Sequence, residues 1–138
     1  MATTHETEIK WAGDLRFDAL QNGKTIRIDG DAEHVSTGVK PKALILTSLA
    51  GCTGIDIVDL LNKMRVPFSD FSIKVTGELT EDYPKVYRTI QLIYIIRLQN
   101  PDDKDKMEKA VNLSQEKYCG VSSMIRKFAD LKVKIEYL

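Results

Sequence analysis

The run ALILTSLAGCTGIDIVDLL, residues 43–61, is the most apolar long stretch of the chain and constrains its fold more than any other feature. It is long enough to tempt a membrane reading, but Asp56 and Asp59 lie inside it. An aspartate at a bilayer centre costs about 2.5–3.5 kcal/mol on insertion scales, so a helix buried within the protein is the expected outcome. Pro41 suits a first helical turn, where its missing N–H costs little. Lys63 and Arg65 suit a last turn, where they complement the negative end of the helix dipole, and Pro67 prevents continuation. The helix is therefore expected over residues 42–65. Leu44, Leu46, Leu49, Ile55, Ile57 and Val58 distribute apolar surface nearly all round it, which predicts burial on most sides. Gly51 and Gly54 each cost about 1 kcal/mol relative to Ala in a helix interior; close approach by another helix or strand is the expected reason for them.

The flanking segments place this helix in an α+β domain. Upstream, strands are expected over 7–11, 15–20 and 25–29, separated by the turn signals Ala12-Gly13-Asp14 and Gln21-Asn22-Gly23. The Asn-Gly pair is a strong hairpin signal because both residues tolerate positive φ. Residues 30–40 read as a polar loop. Downstream, 71–79 and 86–98 alternate apolar and polar residues with a period of two, as an antiparallel hairpin does. The second of these strands is apolar on both faces, with Ile90, Leu92, Tyr94, Ile96 and Leu98 on one and Ile93 and Ile95 on the other. Such a strand asks for cover on both sides, as a second subunit could give. Asn100-Pro101-Asp102 caps a helix expected over 102–117, a short helix follows over 121–128, and a last strand occupies 131–137. The whole chain, 1–138, reads as one domain with no repeat and no linker.

Composition excludes several function classes. Twenty Lys and Arg residues balance twenty Asp and Glu residues, so no global electrostatic pull draws the chain to nucleic acid or an anionic membrane. Residues 1–10 are polar and carry no apolar export segment, so a reducing cytoplasm is the expected compartment. A permanent structural disulfide is not expected there. No Gly-rich phosphate loop and no Gly-x-Ser-x-Gly elbow occurs. His5 and His34 fall in polar segments and read as surface residues, and two histidines with two distant cysteines make no zinc spacing. Asp56 and Asp59, three helical positions apart, are expected to pair with Lys or Arg rather than act as an acid–base dyad.

The chemistry concentrates on Cys52 and Cys119, which are 67 residues apart and belong to no short motif. From spacing they are either two buried hydrophobes or a redox pair. Cys119 precedes a helix, and a helix N-terminus lowers a thiol pKa. Cys52 is mid-helix with Asp56 one turn on, and a nearby carboxylate opposes thiolate formation. Cys52 thus needs a cation from elsewhere to become a good nucleophile.

The segment from Pro41-Lys42-Ala43-Leu44 through Leu49-Ala50-Gly51-Cys52-Thr53-Gly54-Ile55-Asp56, together with Tyr118-Cys119-Gly120-Val121-Ser122, resembles the two cysteine motifs of the OsmC/Ohr family, most closely its YhfA-like redox-protein branch. The resemblance implies an intertwined homodimer, with the long central helices buried at its heart and packed against antiparallel sheets. It implies a thiol peroxidase for organic hydroperoxides, in which Cys52 becomes a sulfenic acid, Cys119 resolves it as a disulfide, and a dithiol reductant resets the pair. It implies no metal and no flavin. The family's active-site arginine comes from the N-terminal strands; Arg16 is the nearest match and Arg27 a second candidate. Two departures stand out. The family glutamate just after the helix-opening proline is replaced by Lys42 and Ala43, and the frequent Cys-Pro of the second motif is Cys119-Gly120. These leave two alternatives beside the peroxidase: a non-catalytic dimer that binds a small ligand, and a general thiol–disulfide oxidoreductase.

Overall fold

A computed structural model describes residues 2–30 and 37–138; His34 lies outside the described residues. The contacts divide the chain into two compact units, residues 1–45 and 46–138, and each is taken by itself.

The first unit is a three-stranded antiparallel sheet in the order β1-β2-β3, formed by Glu8–Trp11, Arg16–Gln21 and Lys24–Asp29. The expected hairpin is present. Gln21 pairs with Lys24, and Asn22 and Gly23 between them take φ values of 51° and 73°. Both central residues are left-handed, the geometry whose twist matches that of the flanking strands. The turn from β1 to β2 closes through the Arg16 N–H, which donates to the Gly13 carbonyl at 2.9 Å.

The second unit holds nearly all of α1, Ala43–Lys63, and everything after it. Lys42 lies just outside this helix, whose first bonds close on the carbonyls of Lys40, Pro41 and Lys42. Its end is a complete Schellman motif. The Val66 N–H returns to the Leu61 carbonyl at 2.9 Å and the Arg65 N–H to the Asn62 carbonyl at 3.1 Å. Arg65 takes φ 57°, the left-handed position that glycine favours. The helix stops at this cap, before Pro67 is reached.

Strands β4 (Phe68–Leu79), β5 (Tyr87–Leu98) and β6 (Asp130–Tyr137) form one sheet in that order. The expected hairpin joins β4 and β5 antiparallel, whereas β6 lies parallel to β5, so this sheet is mixed. A parallel partner requires a crossover, and the chain between β5 and β6 supplies it as α2 (Lys104–Leu113) and α3 (Gly120–Arg126). The core comprises Leu49, Ile57 and Leu61 of α1, Ile90, Leu92, Tyr94 and Ile96 of β5, Met107, Ala110 and Val111 of α2, and Ile125 of α3. Burying each Leu, Ile, Val or Met side chain among them contributes about 1.5–3 kcal/mol.

Three expectations change in detail. Within this chain α1 is not buried on most sides. Only Leu49, Thr53, Ile57 and Leu61 are fully covered, a single stripe at four-residue spacing, while Ile55 is 73% exposed. By length and composition α1 could cross a bilayer, yet that stripe is part of the core and Asp56 is engaged by Ser114. Second, the helix expected over 102–117 is three pieces. Asn100 caps a 3-10 turn at Pro101–Asp103, its Oδ1 accepting the Asp102 N–H at 3.0 Å. Then comes α2, and Ser114–Tyr118 is π-helical. Third, the alternation of β6 puts Val133 on the face of Leu131 and Ile135, which should turn inward, yet Val133 is 37% exposed.

Candidate functional site

Cys52 stands on α1 beside the fully buried Thr53. Cys119 stands at the joint between the π-helical turn and α3, with an extended backbone of φ −82° and ψ 97°. Its N–H donates to the Ser114 carbonyl at 2.7 Å, the five-residue closure that defines the π turn and a feature found often at functional sites. Its Sγ caps α3 by accepting the Ser122 N–H at 3.4 Å. The two side chains, remote in sequence, are neighbours: Cys52 packs against the core cluster that holds Cys119, and the Cys119 side chain and the Val121 N–H both act on the Cys52 thiol. Both thiols are free, Cys52 half-buried and Cys119 buried.

Four influences set the Cys52 thiol, and the balance pushes its pKa up. Burial is the largest cause. The Val121 N–H pulls the other way by stabilising the thiolate, and the Cys119 thiol and the Asp56 carboxylate push up again. The opposition expected from Asp56 is present, but it is smaller than the desolvation.

A buried polar chain lies beside the pair. The Ser114 hydroxyl donates to Asp56 Oδ2 at 3.0 Å. The Thr53 and Ser114 hydroxyls are 2.7 Å apart, and Thr53 also bonds the Tyr94 hydroxyl. Gln115 Nε2 donates to the Tyr94 hydroxyl at 2.9 Å and to Thr53 Oγ1 at 3.3 Å. Arg126 donates to the Gln115 backbone carbonyl at 3.0 Å and to Gln115 Oε1 at 2.8 Å. Donor counting orders the protons. Arg126 is only a donor, so Gln115 Oε1 must face it and Nε2 must face Tyr94. Ser114 has one hydrogen and gives it to Asp56, so Thr53 donates to Ser114 and Tyr94 donates to Thr53. Every bond therefore points from the Arg126 cation toward the Asp56 anion. Burial raises the Tyr94 pKa further than its Thr53 and Gln115 bonds lower it, which keeps that hydroxyl a donor.

Of the remaining expected residues, Arg16 opens β2 in the first unit. Its guanidinium lies 3.4 Å from Asp14, and its Nε is buried without a hydrogen-bond partner. Arg27 is engaged on both sides of its fork, by two bonds to the Asp18 carboxylate across the hairpin. Mutual attraction raises the Arg27 pKa and lowers that of Asp18. Asp59 pairs with Lys63 one turn on at 2.8 Å, as expected, whereas Asp56 takes a serine hydroxyl rather than a cation. His5 is exposed. Among the described residues no group of three or more His, Cys, Asp or Glu could hold a metal ion.

Sequence reasoning missed the network as a unit. Its signals were present singly. Tyr94 and Ser114 fall on inward faces, and a hydroxyl forced into a core must find a partner. Thr53 lies next to Cys52 in an otherwise apolar segment. Nothing local shows that these groups converge.

Comparison with known proteins places this chain in a family. The model of the family described as OsmC-like protein matches residues 30–134. Protein YhfA of Escherichia coli K12 is 31% identical over 127 residues, covering 91% of this chain and 92% of YhfA. A hypothetical protein from Aquifex aeolicus has the same fold, with a TM-score of 0.87, 27% identity and coverage of 99% of this chain and 98% of that one. The organic hydroperoxide resistance protein OhrB of Bacillus subtilis matches at a TM-score of 0.65 and 17% identity, covering 97% of this chain and 98% of its own, which is a likeness of fold alone.

Proposed function

Because the chain belongs to the OsmC-like protein family, we propose that it is a cysteine-based peroxidase that reduces organic hydroperoxides in the cytoplasm. The observation that carries this reading is the placement of Cys52 against the core cluster that holds Cys119, where the two side chains influence one another, since resolution by disulfide needs two sulfurs that can come within bridging reach.

The Cys52 thiolate attacks the distal oxygen of the hydroperoxide. The O–O bond breaks, the departing alkoxide takes a proton to become the alcohol, and Cys52 is left as a sulfenic acid. The Cys119 thiol then attacks that sulfur, the S–O bond breaks, and hydroxide leaves with the thiol proton as water. A dithiol reductant exchanges with the disulfide and leaves both cysteines reduced. Desolvation and Asp56 work against the first step, so a cation must assist it. Arg16 is our candidate, on the family resemblance and on its unengaged Nε; Arg27 is already committed to Asp18.

The reading includes a homodimer. An open groove of about 740 Å³ runs between α1 and β4, bordered by Thr47, Gly51, Ile55, Val58, Phe71 and Ile73. Exposed apolar surface of this kind marks an association site, and a second α1 covering it would complete the burial that the sequence leads one to expect. Nucleic acid and membrane have no part in it.

The raised Cys52 pKa favours one rival, a dimer that binds a small ligand and does no redox chemistry. Wild-type protein should reduce cumene hydroperoxide at the expense of a dithiol, and Cys52→Ser should abolish this. One equivalent of peroxide should lower the wild-type mass by about 2 Da as two hydrogens are lost to the disulfide. Unchanged mass with both thiols still titratable would favour the ligand-binding rival. Disulfide exchange without peroxide turnover would favour a general oxidoreductase.

A further inference from the structure

The polar chain from Arg126 to Asp56 ties together the elements that carry the two sulfurs. Thr53 follows Cys52 directly on α1, and Asp56 is one turn beyond. Ser114 and Gln115 open the π-helical turn that ends at Cys119. Arg126 closes α3, whose N-terminus Cys119 caps. Tyr94 of β5, fully buried, is the fixed post between them. Thr53, Ser114 and Tyr94 have no exposed surface, and Gln115 has 9%. A buried polar group left without its partner costs far more than a bond made in water returns, so the hydroxyls hold their mutual distances. The single ordering of protons deduced above adds direction. Displacing the Tyr94 or Ser114 hydroxyl breaks two bonds and displacing that of Thr53 breaks three, because each both gives and receives.

We propose that Thr53, Tyr94, Ser114, Gln115 and Arg126 are positioning residues for the resolving step, holding the π-helical turn so that the Cys119 thiol stands against Cys52 when Cys52 is oxidised. The proposal rests on the peroxidase reading and adds a division of labour to it. Asp56, whose charge acts on Cys52, is kept in every variant; the other members touch neither sulfur through a side-chain bond, so peroxide attack by Cys52 does not depend on them. What depends on them is the competition that follows. A sulfenic acid either loses water to Cys119 and becomes a disulfide, or meets a second peroxide and becomes a sulfinic acid. Displacing a reacting group by about 1 Å can cost a hundredfold in rate, so loosening the turn should shift that competition toward overoxidation.

Tyr94→Phe keeps the ring in the core and removes one hydroxyl. Thr53→Val keeps the shape and removes another, and Thr53→Ser restores the hydroxyl without the methyl. Reduced wild type and variants are first compared by circular dichroism. All are then treated with graded cumene hydroperoxide, and disulfide, dimedone-trapped sulfenic acid and sulfinic acid are counted by mass spectrometry. The expected result is an unchanged rate of first oxidation, with disulfide formation slowed about tenfold or more in Thr53→Val and Tyr94→Phe and near wild type in Thr53→Ser. Equal disulfide yield in all four folded proteins overturns the positioning role and leaves the peroxidase reading intact. So does a Thr53→Ser protein as impaired as Thr53→Val, because shape rather than hydrogen bonding would then be responsible. A wild type that forms no disulfide at all overturns both. Should Thr53→Val not fold, Tyr94→Phe alone decides by the same two readouts.

Discussion

At the scale of single residues, the balance of forces on Cys52 sets how readily its thiol ionises. The neutral thiol is the form that desolvation, Cys119 and Asp56 all favour, and the thiolate is the form that attacks. With the pKa raised above the ordinary 9.0, the reactive fraction is small at neutral pH and grows as pH rises. Alkylation of Cys52 by iodoacetamide, followed in Cys119→Ser protein, should therefore reach its half-maximal rate above that value. Asp56→Asn should move the half-point down, since it removes a negative charge and leaves an amide oxygen for Ser114; an upward move would contradict the assigned direction. Part of this was legible in advance, because residues four apart on a helix share a face, and that placed Asp56 beside Cys52. The nearness of the two cysteines was not legible from spacing. It depends on how β5 and the crossover pack, and it entered the sequence reading only through family resemblance.

At the scale of elements, legibility followed the range of the forces. The Asn22-Gly23 turn and the Asn100 cap are local devices, so sequence located them well. The π-helical turn was not anticipated. Apolar spacing continues across 102–117 as though one helix ran through, and the widening at Ser114 answers to partners on α1 and β5 that no local pattern reveals. The close of α1 belongs to the local class, and it carries a suboptimal residue. A side chain at φ 57° is strained where glycine is not. Arg65→Gly should stabilise the protein by about 0.5–1 kcal/mol, read as a higher urea midpoint at constant slope. A lower midpoint would mean that the arginine makes a contact worth more than the strain. Gly77 is the opposite case. A Cβ there would come within 2.6 Å of the Tyr87 ring, so the residue is fixed by packing rather than by backbone angle.

At the scale of the whole molecule, the sequence leads one to expect more burial than a single chain provides. All-round apolarity of the central helix is a property of the sequence, yet one copy covers only the stripe through Leu49 and Leu61. Ile55 is the most exposed large apolar residue of that helix. Ile55→Arg should convert a dimer to a monomer in analytical ultracentrifugation at micromolar concentration, because a guanidinium would be desolvated at a closed apolar contact. A dimer that persists would move the interface elsewhere. The helical widening before Cys119 has a consequence of its own for lineages of this fold. An ordinary helix advances about 100° per residue, so losing a single codon from that short stretch would swing the second thiol away to another side of its axis. Such a descendant could keep each side chain named above and still be chemically silent, its history of inactivation written in length rather than in composition.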